Sequence, residues 1–407
     1  MNILFVTFYF PPEAGAPQRR ISEYAAALTK RGHRVSVLTG FPNYPRGELI
    51  PPYRRRLYLR ETLDGIEVLR VFHFLGNRQG KLGRALAEGS FALSASVAAL
   101  LEAVPDVVIV ESPSLLSGWA GVLLKRMRGS AFVLHLSDLI PDMAVALGML
   151  SPGPLANLLH RMAGWFYREA DGIVVVTEGL KSALVQKGIN PDKIWLIMNG
   201  VDEDWLANGK GGHLSAAGGA FRVLYFGNHG AAQNLGMVLD AANLLKEEGI
   251  AFDFLGDGIE KPALMDKARQ MDLSNVVFHS SVAQDKLSEK LAQTNVVVVP
   301  LVGKPEMGAA VPSKLIEAMA AGKPIVLSAR GEAAEFVRNA GAGWVVEPDN
   351  PSELAGAIRI IRKEPNEAAE KGKRGMAFVE QNCLRPVLAE RLEGMLRDVV
   401  ERKRKRI

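Results

Sequence analysis

Lys314 and Glu317 stand three residues apart in Pro312-Ser313-Lys314-Leu315-Ile316-Glu317, so on a helix they share a face. A lysine in the first turn of a helix, beside that turn's unpaired N–H groups, makes a site for a diphosphate. A carboxylate one turn deeper can accept hydrogen bonds from ribose hydroxyls. The same two residues also fit a plain surface ion pair worth only ~0.3–0.5 kcal/mol. Ser313 and Glu317 are spaced by four, which is not the spacing of a capping box. A second polar cluster is His135-Leu136-Ser137-Asp138. His135 and Ser137 are two apart and point to one face of a strand. Asp138 falls at the strand's end, where it serves an active site or caps the next helix. Asp202-Glu203-Asp204 spells a D-x-D triplet, a pattern that can hold a metal. Between Asn-Gly-Val and Trp205-Leu it reads instead as a turn and helix start.

Such groups need strands that end in polar loops and helices that begin there. Pro312 suits the first turn of a helix, where its missing N–H costs nothing. Leu315, Ile316, Met319 and Ala320 make an apolar stripe, Gly322 caps it with Pro324 beyond, and 325–327 is a short buried strand. Residues 2–8 are a β-rich run. A Pro-rich loop follows, then a helix over 19–30 with Ile21, Tyr24, Ala25 and Leu28 on one face, then a strand at 35–39. That is a βαβ unit. Further strands are expected at 106–110, 132–136 and 173–177, and later at 221–226, 252–255, 276–278 and 296–300. In doubly wound sheets, ligands bind beyond the carboxyl ends of strands. Two runs of such units imply an α/β protein with two parallel-sheet domains facing across a cleft. Residues 1–205 make the first domain, the Gly/Ala/Ser-rich 206–220 a linker, and 221–383 the second domain. A helix over about 384–407, with Leu388, Leu392 and Leu396, is expected to pack back onto the first domain.

The 407 residues, 48% of them apolar, suffice for two or three domains with sizeable cores. Cys383 is the only cysteine, which rules out an internal disulfide and fits a reducing compartment. Residues 1–10 are apolar but lack a basic n-region, so no secretory leader is evident. The longest apolar stretches, 91–101 and 115–124, fall short of the ~18 residues that span a bilayer, so a soluble or peripheral protein is expected. Residues 1–200 carry 22 Lys and Arg against 16 Asp and Glu; residues 201–407 carry 27 against 28. A basic first half suits an anionic partner, a membrane surface or a phosphorylated substrate. Nucleic acid is disfavoured, because no zinc-ligand spacing or aromatic RNP-like run is present. Arg54, Arg55 and Arg56 sit among Tyr53, Leu57 and Tyr58. Arg78, Lys81 and Arg84 precede a helix over 85–103 whose apolar face runs through Leu86, Phe91, Leu93, Val97 and Leu100. That pattern reads as an interfacial segment, or as a solvated basic face over a core helix. The basic tail at 401–406 favours a helix dipole and needs no partner.

Pro312-Ser313-Lys314-x-x-Glu317-Ala318-Met319-Ala320-x-Gly322-x-Pro324 resembles the nucleotide-sugar signature of the family 4 glycosyltransferases. Segments 12–20, 30–37, 134–142, 194–202, 227–230 and 275–279 resemble other parts of that family, so the likeness covers nearly the whole chain. Within the family it resembles the bacterial colanic acid and N-acetylfucosaminyl polysaccharide transferases. The resemblance implies the GT-B fold of two Rossmann-like domains. It implies transfer, with retention, from a UDP- or GDP-linked sugar to a glycan or lipid-linked acceptor in surface polysaccharide synthesis, such as lipopolysaccharide O-antigen. It implies no metal or other cofactor, and a cytoplasmic, peripheral place on the inner face of the bacterial membrane. Donor contacts are implied for Gly15, Gly227, Asn228, Phe278, His279, Ala310, Val311, Pro312, Ser313, Lys314 and Glu317. Catalytic roles are implied for Asp138, His135 and Lys314, the first two binding sugar or acceptor.

Three departures bear on this. Ala309 stands where the family has the first glutamate of Glu-x7-Glu. Asn228 and Asn234 replace the cationic pair that meets the diphosphate, so Lys314, with an arginine such as Arg330 as helper, must supply the charge. Ser137-Asp138 replaces His-Asp. A sugar-nucleotide epimerase of the same fold, or a catalytically silent nucleotide-sugar-binding protein, therefore stays open as an alternative.

Overall fold

Runs such as Ile3-Leu4-Phe5-Val6 and Val107-Val108-Ile109-Val110 are apolar at every position and become strands buried on both faces. The computed structural model describes residues 1–13, 16–43, 48–49, 51–54, 56–75, 81–112, 114–146, 148–209, 221–309 and 311–405. Its chain divides into two units, Met1–Met198 with Arg385–Ile407, and Asn199–Leu384.

The first unit is an eight-stranded sheet of β1 (Asn2–Val6), β2 (Arg34–Gly40), β3 (Tyr58–Leu63), β4 (Ile66–Val71), β5 (Val107–Glu111), β6 (Ala131–Leu136), β7 (Gly172–Val175) and β8 (Ile194–Leu196), in the order β3-β4-β2-β1-β5-β6-β7-β8. All pairs are parallel except β3 with β4. Strand alternation splits the core. Ile3 and Phe5 join Ile21, Tyr24 and Leu28 of helix Ala16–Lys30 and Leu388, Leu392, Leu396 and Val399 of helix Arg385–Arg404. Leu4 and Val6 join the opposite layer, with Phe91 of helix Lys81–Leu101, Leu124 of helix Gly118–Arg128 and Phe166 of helix Pro154–Glu169.

The second unit is a six-stranded, all-parallel sheet of β9 (Phe221–Phe226), β10 (Ile250–Leu255), β11 (Val276–His279), β12 (Val296–Pro300), β13 (Ile325–Ser328) and β14 (Gly343–Val346), ordered β11-β10-β9-β12-β13-β14. The order reverses at β9, so the carboxyl ends of β9 and β12 mark a switch point for ligands.

Several expectations are corrected. The division falls after Met198 rather than at 205. Residues 206–209 close the helix Glu203–Gly209 instead of opening a linker; the rest of the expected linker lies outside the described residues. Pro312 is the N-cap, with extended backbone, and the helix Ser313–Ala320 starts one residue later. The stretch after the basic 54–56 segment forms the β3–β4 hairpin. Its turn uses Asp64 and Gly65, both at positive φ, a primed turn that matches strand twist.

Helix Lys81–Leu101 carries two apolar faces. Ala87, Phe91, Ala95, Ala98 and Ala99 pack inward, small residues that let the helix lie close to the sheet. Leu86, Leu93, Val97 and Leu101 form an outward stripe, Leu93 at 69% and Leu101 at 80% exposure. The face expected from sequence thus mixed inner Phe91 with outer Leu86, Leu93 and Val97. Arg55 and Arg78, and the side chains of Lys81 and Arg84, lie outside the described residues. None of the described helices is long and apolar enough to cross a membrane.

Candidate functional site

In the second unit the switch point is lined by glycine loops, a helix N-terminus and Lys314. Gly227 follows β9 at φ +117°. A side chain there would sit 3.2 Å from the Lys314 ammonium nitrogen, so only glycine lets the loop lie over it. Gly256 follows β10, and a Cβ on it would meet the Gly227 carbonyl at 1.9 Å. The two loops pack backbone on backbone and hold each other in place.

Lys314 lies beneath the Gly227 loop. Its Nζ donates to the Tyr225 hydroxyl at 2.8 Å and to the Gln233 side-chain oxygen at 2.6 Å, and sits 4.5 Å from the centre of the Tyr225 ring. The Tyr225 hydroxyl in turn donates to the Asn228 carbonyl at 2.6 Å. These two hydrogen-bond partners are neutral, and the carboxylate that acts on the charge is Glu317. Burial pushes the Lys314 pKa down to about 7, with Glu317 one turn on pulling the other way. Tyr225 and Gln233 were not anticipated. They are distant in sequence, and no local motif announces them.

Lys314, Gly227, Asn228, Pro312, Ser313 and Glu317 are thereby gathered at one place, with Val311 partly exposed just before the helix. Gly15 and Ala310 lie outside the described residues. Ala309 ends a short 3-10 turn, Pro305–Ala309. Beside it a pocket of about 330 Å³ opens at the ends of β12 and β13, lined by Val302, Lys304, Gly308, Arg330 and Gly331 among others. Arg330 is exposed and paired to Glu347 at 2.7 Å.

Phe278 and His279 lie further along the sheet. Phe278 stacks on Phe254 with centroids 5.0 Å apart, and His279 Nε2 is 2.6 Å from Asp253. Between them and Lys314 stands His229, fully buried, its ring 5.6 Å from Tyr225 and 6.2 Å from Phe278. Burial, then the nearby Lys261, pushes the His229 pKa down to about 4, so its ring is neutral.

In the first unit the strand ends carry a buried ionic cluster. Arg20, from helix Ala16–Lys30, donates to Glu111 at the end of β5 and to the Ser137 hydroxyl just after β6. His135 Nδ1 is 2.8 Å from the other Glu111 oxygen. Burial alone would raise the Glu111 pKa, but Arg20 and His135 outweigh it and hold the carboxyl below its usual range. His135 is 1% exposed. The shared face expected for His135 and Ser137 is the one that meets Arg20 and Glu111, so His135 braces the cluster from inside rather than presenting its ring at the strand ends. Ser137 and Asp138 are the partly exposed members. Burial pushes the Asp138 pKa up to about 6, Arg20 opposing and Glu111 adding to the rise. Arg20 closes the 12–20 segment, but nothing local pairs it with Glu111, 91 residues on, and Glu111 belongs to no local motif. Asp202 precedes the helix Glu203–Gly209, and among the described residues no three His, Cys, Asp or Glu side chains converge as a metal-ligand set.

The profile of the glycosyl transferase 4-like domain matches residues 15–200, and that of glycosyl transferases group 1 matches residues 220–363. A putative colanic acid biosynthesis glycosyl transferase, WcaI of Escherichia coli K12, is 27% identical over 95% of this chain and 98% of its own. Among solved structures, the sucrose-phosphate synthase of Thermosynechococcus elongatus aligns with a TM-score of 0.77 at 17% identity, over 98% of both chains. HepE of Anabaena, solved with UDP and glucose, aligns at 0.71 and 17% identity over 97% of this chain and 99% of that one. With its two sheets, its lysine-bearing helix and these matches, the chain belongs to the family 4 glycosyltransferases of the GT-B fold.

Proposed function

We propose that this glycosyltransferase moves a sugar, with retention of anomeric configuration, from a UDP- or GDP-linked donor to a lipid-linked acceptor in the synthesis of a bacterial surface polysaccharide. The observation that carries the donor half is Lys314, an ammonium with neutral hydrogen-bond partners at a helix N-terminus. As the glycosidic bond breaks, negative charge grows on the departing diphosphate. Lys314 and the first-turn N–H groups are fixed in advance where that charge develops. Glu317 binds ribose hydroxyls and the 276–279 strand lies against the base. Ser137, held by Arg20, and Asp138 beside it bind sugar or acceptor in the first unit. HepE has been solved with UDP-glucose, which supports a nucleotide-sugar donor.

Lys314 takes the part a cation would play, so the reaction is proposed to need no metal. Full activity in EDTA is the expected result when UDP- and GDP-sugars are incubated with membrane lipid extract. Activity lost in chelator and restored by Mg²⁺ or Mn²⁺ would return Asp202-Glu203-Asp204 to candidacy as ligands. Isomerised donor would indicate an epimerase, and unchanged donor a silent binder.

The outward apolar stripe of helix Lys81–Leu101 supports a peripheral position on the inner face of the membrane. The stripe is flanked by exposed Met127 and by Arg126 and Arg128 on helix Gly118–Arg128, with Arg128 donating to the Leu100 carbonyl at 2.9 Å. Apolar residues entering the headgroup region, with arginines meeting anionic lipid, would hold a peripheral protein. The wild-type chain should float with anionic vesicles at low salt, and Leu93→Gln/Leu101→Gln should stay behind. Equal flotation of the two would detach the stripe from membrane binding.

A further inference from the structure

At the amino-terminal ends of β6, β7 and β8, the opposite edge of the first sheet from Ser137 and Asp138, lies a pocket of about 450 Å³. Its walls include Lys125, Arg168, Lys193, Arg402 and Lys403, five cations, against two carboxylates, Asp171 and Asp192. The volume falls in the ~300–1,000 Å³ range of small-molecule sites.

Part of this charge has a structural task. Lys125 Nζ donates to the Glu169 carbonyl at 2.6 Å and to Asp171 at 2.7 Å. Lys193 Nζ donates to the Arg168 and Ala170 carbonyls at 2.9 and 3.0 Å. Both thus complement the negative end of helix Pro154–Glu169. Lys403 reaches in from helix Arg385–Arg404, donating to the Ser130 carbonyl at 2.5 Å and lying 3.5 Å from Asp171. One lysine would suffice to cap a helix, and capping does not explain the convergence of three, while Arg402 also pairs with Asp398 at 2.8 Å on its own helix. Asp171 is the one carboxylate shared by Lys125 and Lys403, and it also accepts from the Phe132 N–H at 3.0 Å. The lysines therefore lie together, partly buried and under-neutralised. Burial and then the nearby Lys125 hold Lys193 below its ordinary pKa. For Lys403 burial again dominates and outweighs Asp171. Each ammonium has three N–H donors, and the bonds just given use two on Lys125 and two on Lys193.

We propose that this pocket binds a phosphorylated small molecule, whose phosphoryl or diphosphoryl oxygens take the remaining donors of Lys125, Lys193 and Lys403. A compact oxyanion of double charge matches three ammonium groups around one cavity. Arg168 and Arg402 at the rim attract it from solution, and Arg402 is steadied over the Trp195 ring at 5.6 Å. The pocket shares no lining residue with those assigned above to the donor or the acceptor, and within the first unit it lies at the opposite ends of the strands from Ser137 and Asp138. A phosphate-bearing lipid headgroup offers the same chemistry as a soluble phosphate ester, and the test separates the two.

Inorganic pyrophosphate is titrated calorimetrically at low salt into the full chain carrying Lys314→Met, which silences the proposed donor site. Saturable binding is expected, weakened about tenfold or more by Lys193→Gln, the scale of one lost charge-assisted hydrogen bond. Arg168→Gln/Arg402→Gln, on exposed rim residues, should weaken it as well and covers the case in which a lysine variant fails to fold. If pyrophosphate does not bind but phosphatidylglycerol vesicles do, in a Lys193-dependent way that phosphatidylcholine does not reproduce, the phosphoryl group belongs to a lipid. Binding of both probes that is indifferent to Lys193, Arg168 and Arg402, or no binding of either, overturns the proposal. Because Lys314 is absent throughout, failure here leaves the donor-site reading untouched.

Discussion

Lys314→Met is expected to cost about 10–100-fold in kcat/KM for the nucleotide sugar, the loss of one or two charge-assisted hydrogen bonds to a diphosphate. The same variant should unfold at a higher temperature than the wild type. Lys314 is an ammonium enclosed by Tyr225, Gln233 and the Gly227 loop, and burial lowers its pKa to about 7 from 10.5. The folded state thus disfavours the charged form. That penalty is complete below pH 7, shrinks between 7 and 10.5 as the folded lysine deprotonates first, and is gone above. The stability gain of Lys314→Met should therefore be greatest at or below pH 7 and fade towards pH 10. Donor binding restores the charge, so wild-type affinity should fall as pH rises past about 7, a dependence that Lys314→Arg should flatten. Unchanged donor affinity in Lys314→Met, at any pH, would remove the lysine from the site.

Glu111→Ala should be among the most destabilising single changes in the first unit. It strands Arg20 and His135, both almost fully buried, without their shared carboxylate. Breaking one side of a buried ion pair costs ~3–5 kcal/mol, because the surviving charge is left unsolvated. Replacing both partners, as Glu111→Leu/Arg20→Met, should recover much of that loss, since an apolar pair carries no such penalty. Denaturant midpoints for the two single variants and the double variant close the cycle. A double variant as unstable as the sum of its parts would show that the pair does not act as a unit. The double variant should still lose activity, because Ser137 would no longer be tethered by Arg20.

What sequence could reveal followed the range of its signals. The buried strands were legible as unbroken apolar runs, and the Ser313–Ala320 helix as a stripe between a proline and Gly322. Lys314 and Glu317 were legible because their helix brings them together. The lysine's cradle was not, because Tyr225 and Gln233 are 89 and 81 residues away. The β3–β4 hairpin had a usable sign, Asp64-Gly65 between two β-rich runs, overshadowed by the arginines at 54–56. In helix Lys81–Leu101 helical spacing was plain, but it cannot say which of two apolar faces meets the sheet. The alanines went inward and the leucines outward, against the usual size order. His135 shows the same limit. Strand alternation placed it correctly beside Ser137 but could not tell an interior ionic bond from an exposed catalytic ring.

Helix Arg385–Arg404 sets the timetable by which the protein can be made. Leu388, Leu392, Leu396 and Val399 cover the face of the first sheet that holds Ile3, Phe5, Val107 and Val133. These strands leave the ribosome early, yet their covering helix is translated only after residues 199–384, a wait of roughly 10–40 s at ~5–20 residues per second. The second unit, contiguous in sequence, can finish first. During that interval this side of the older sheet is covered only in part, by helix Ala16–Lys30, and the area left open is a natural point for a chaperone to hold the nascent chain.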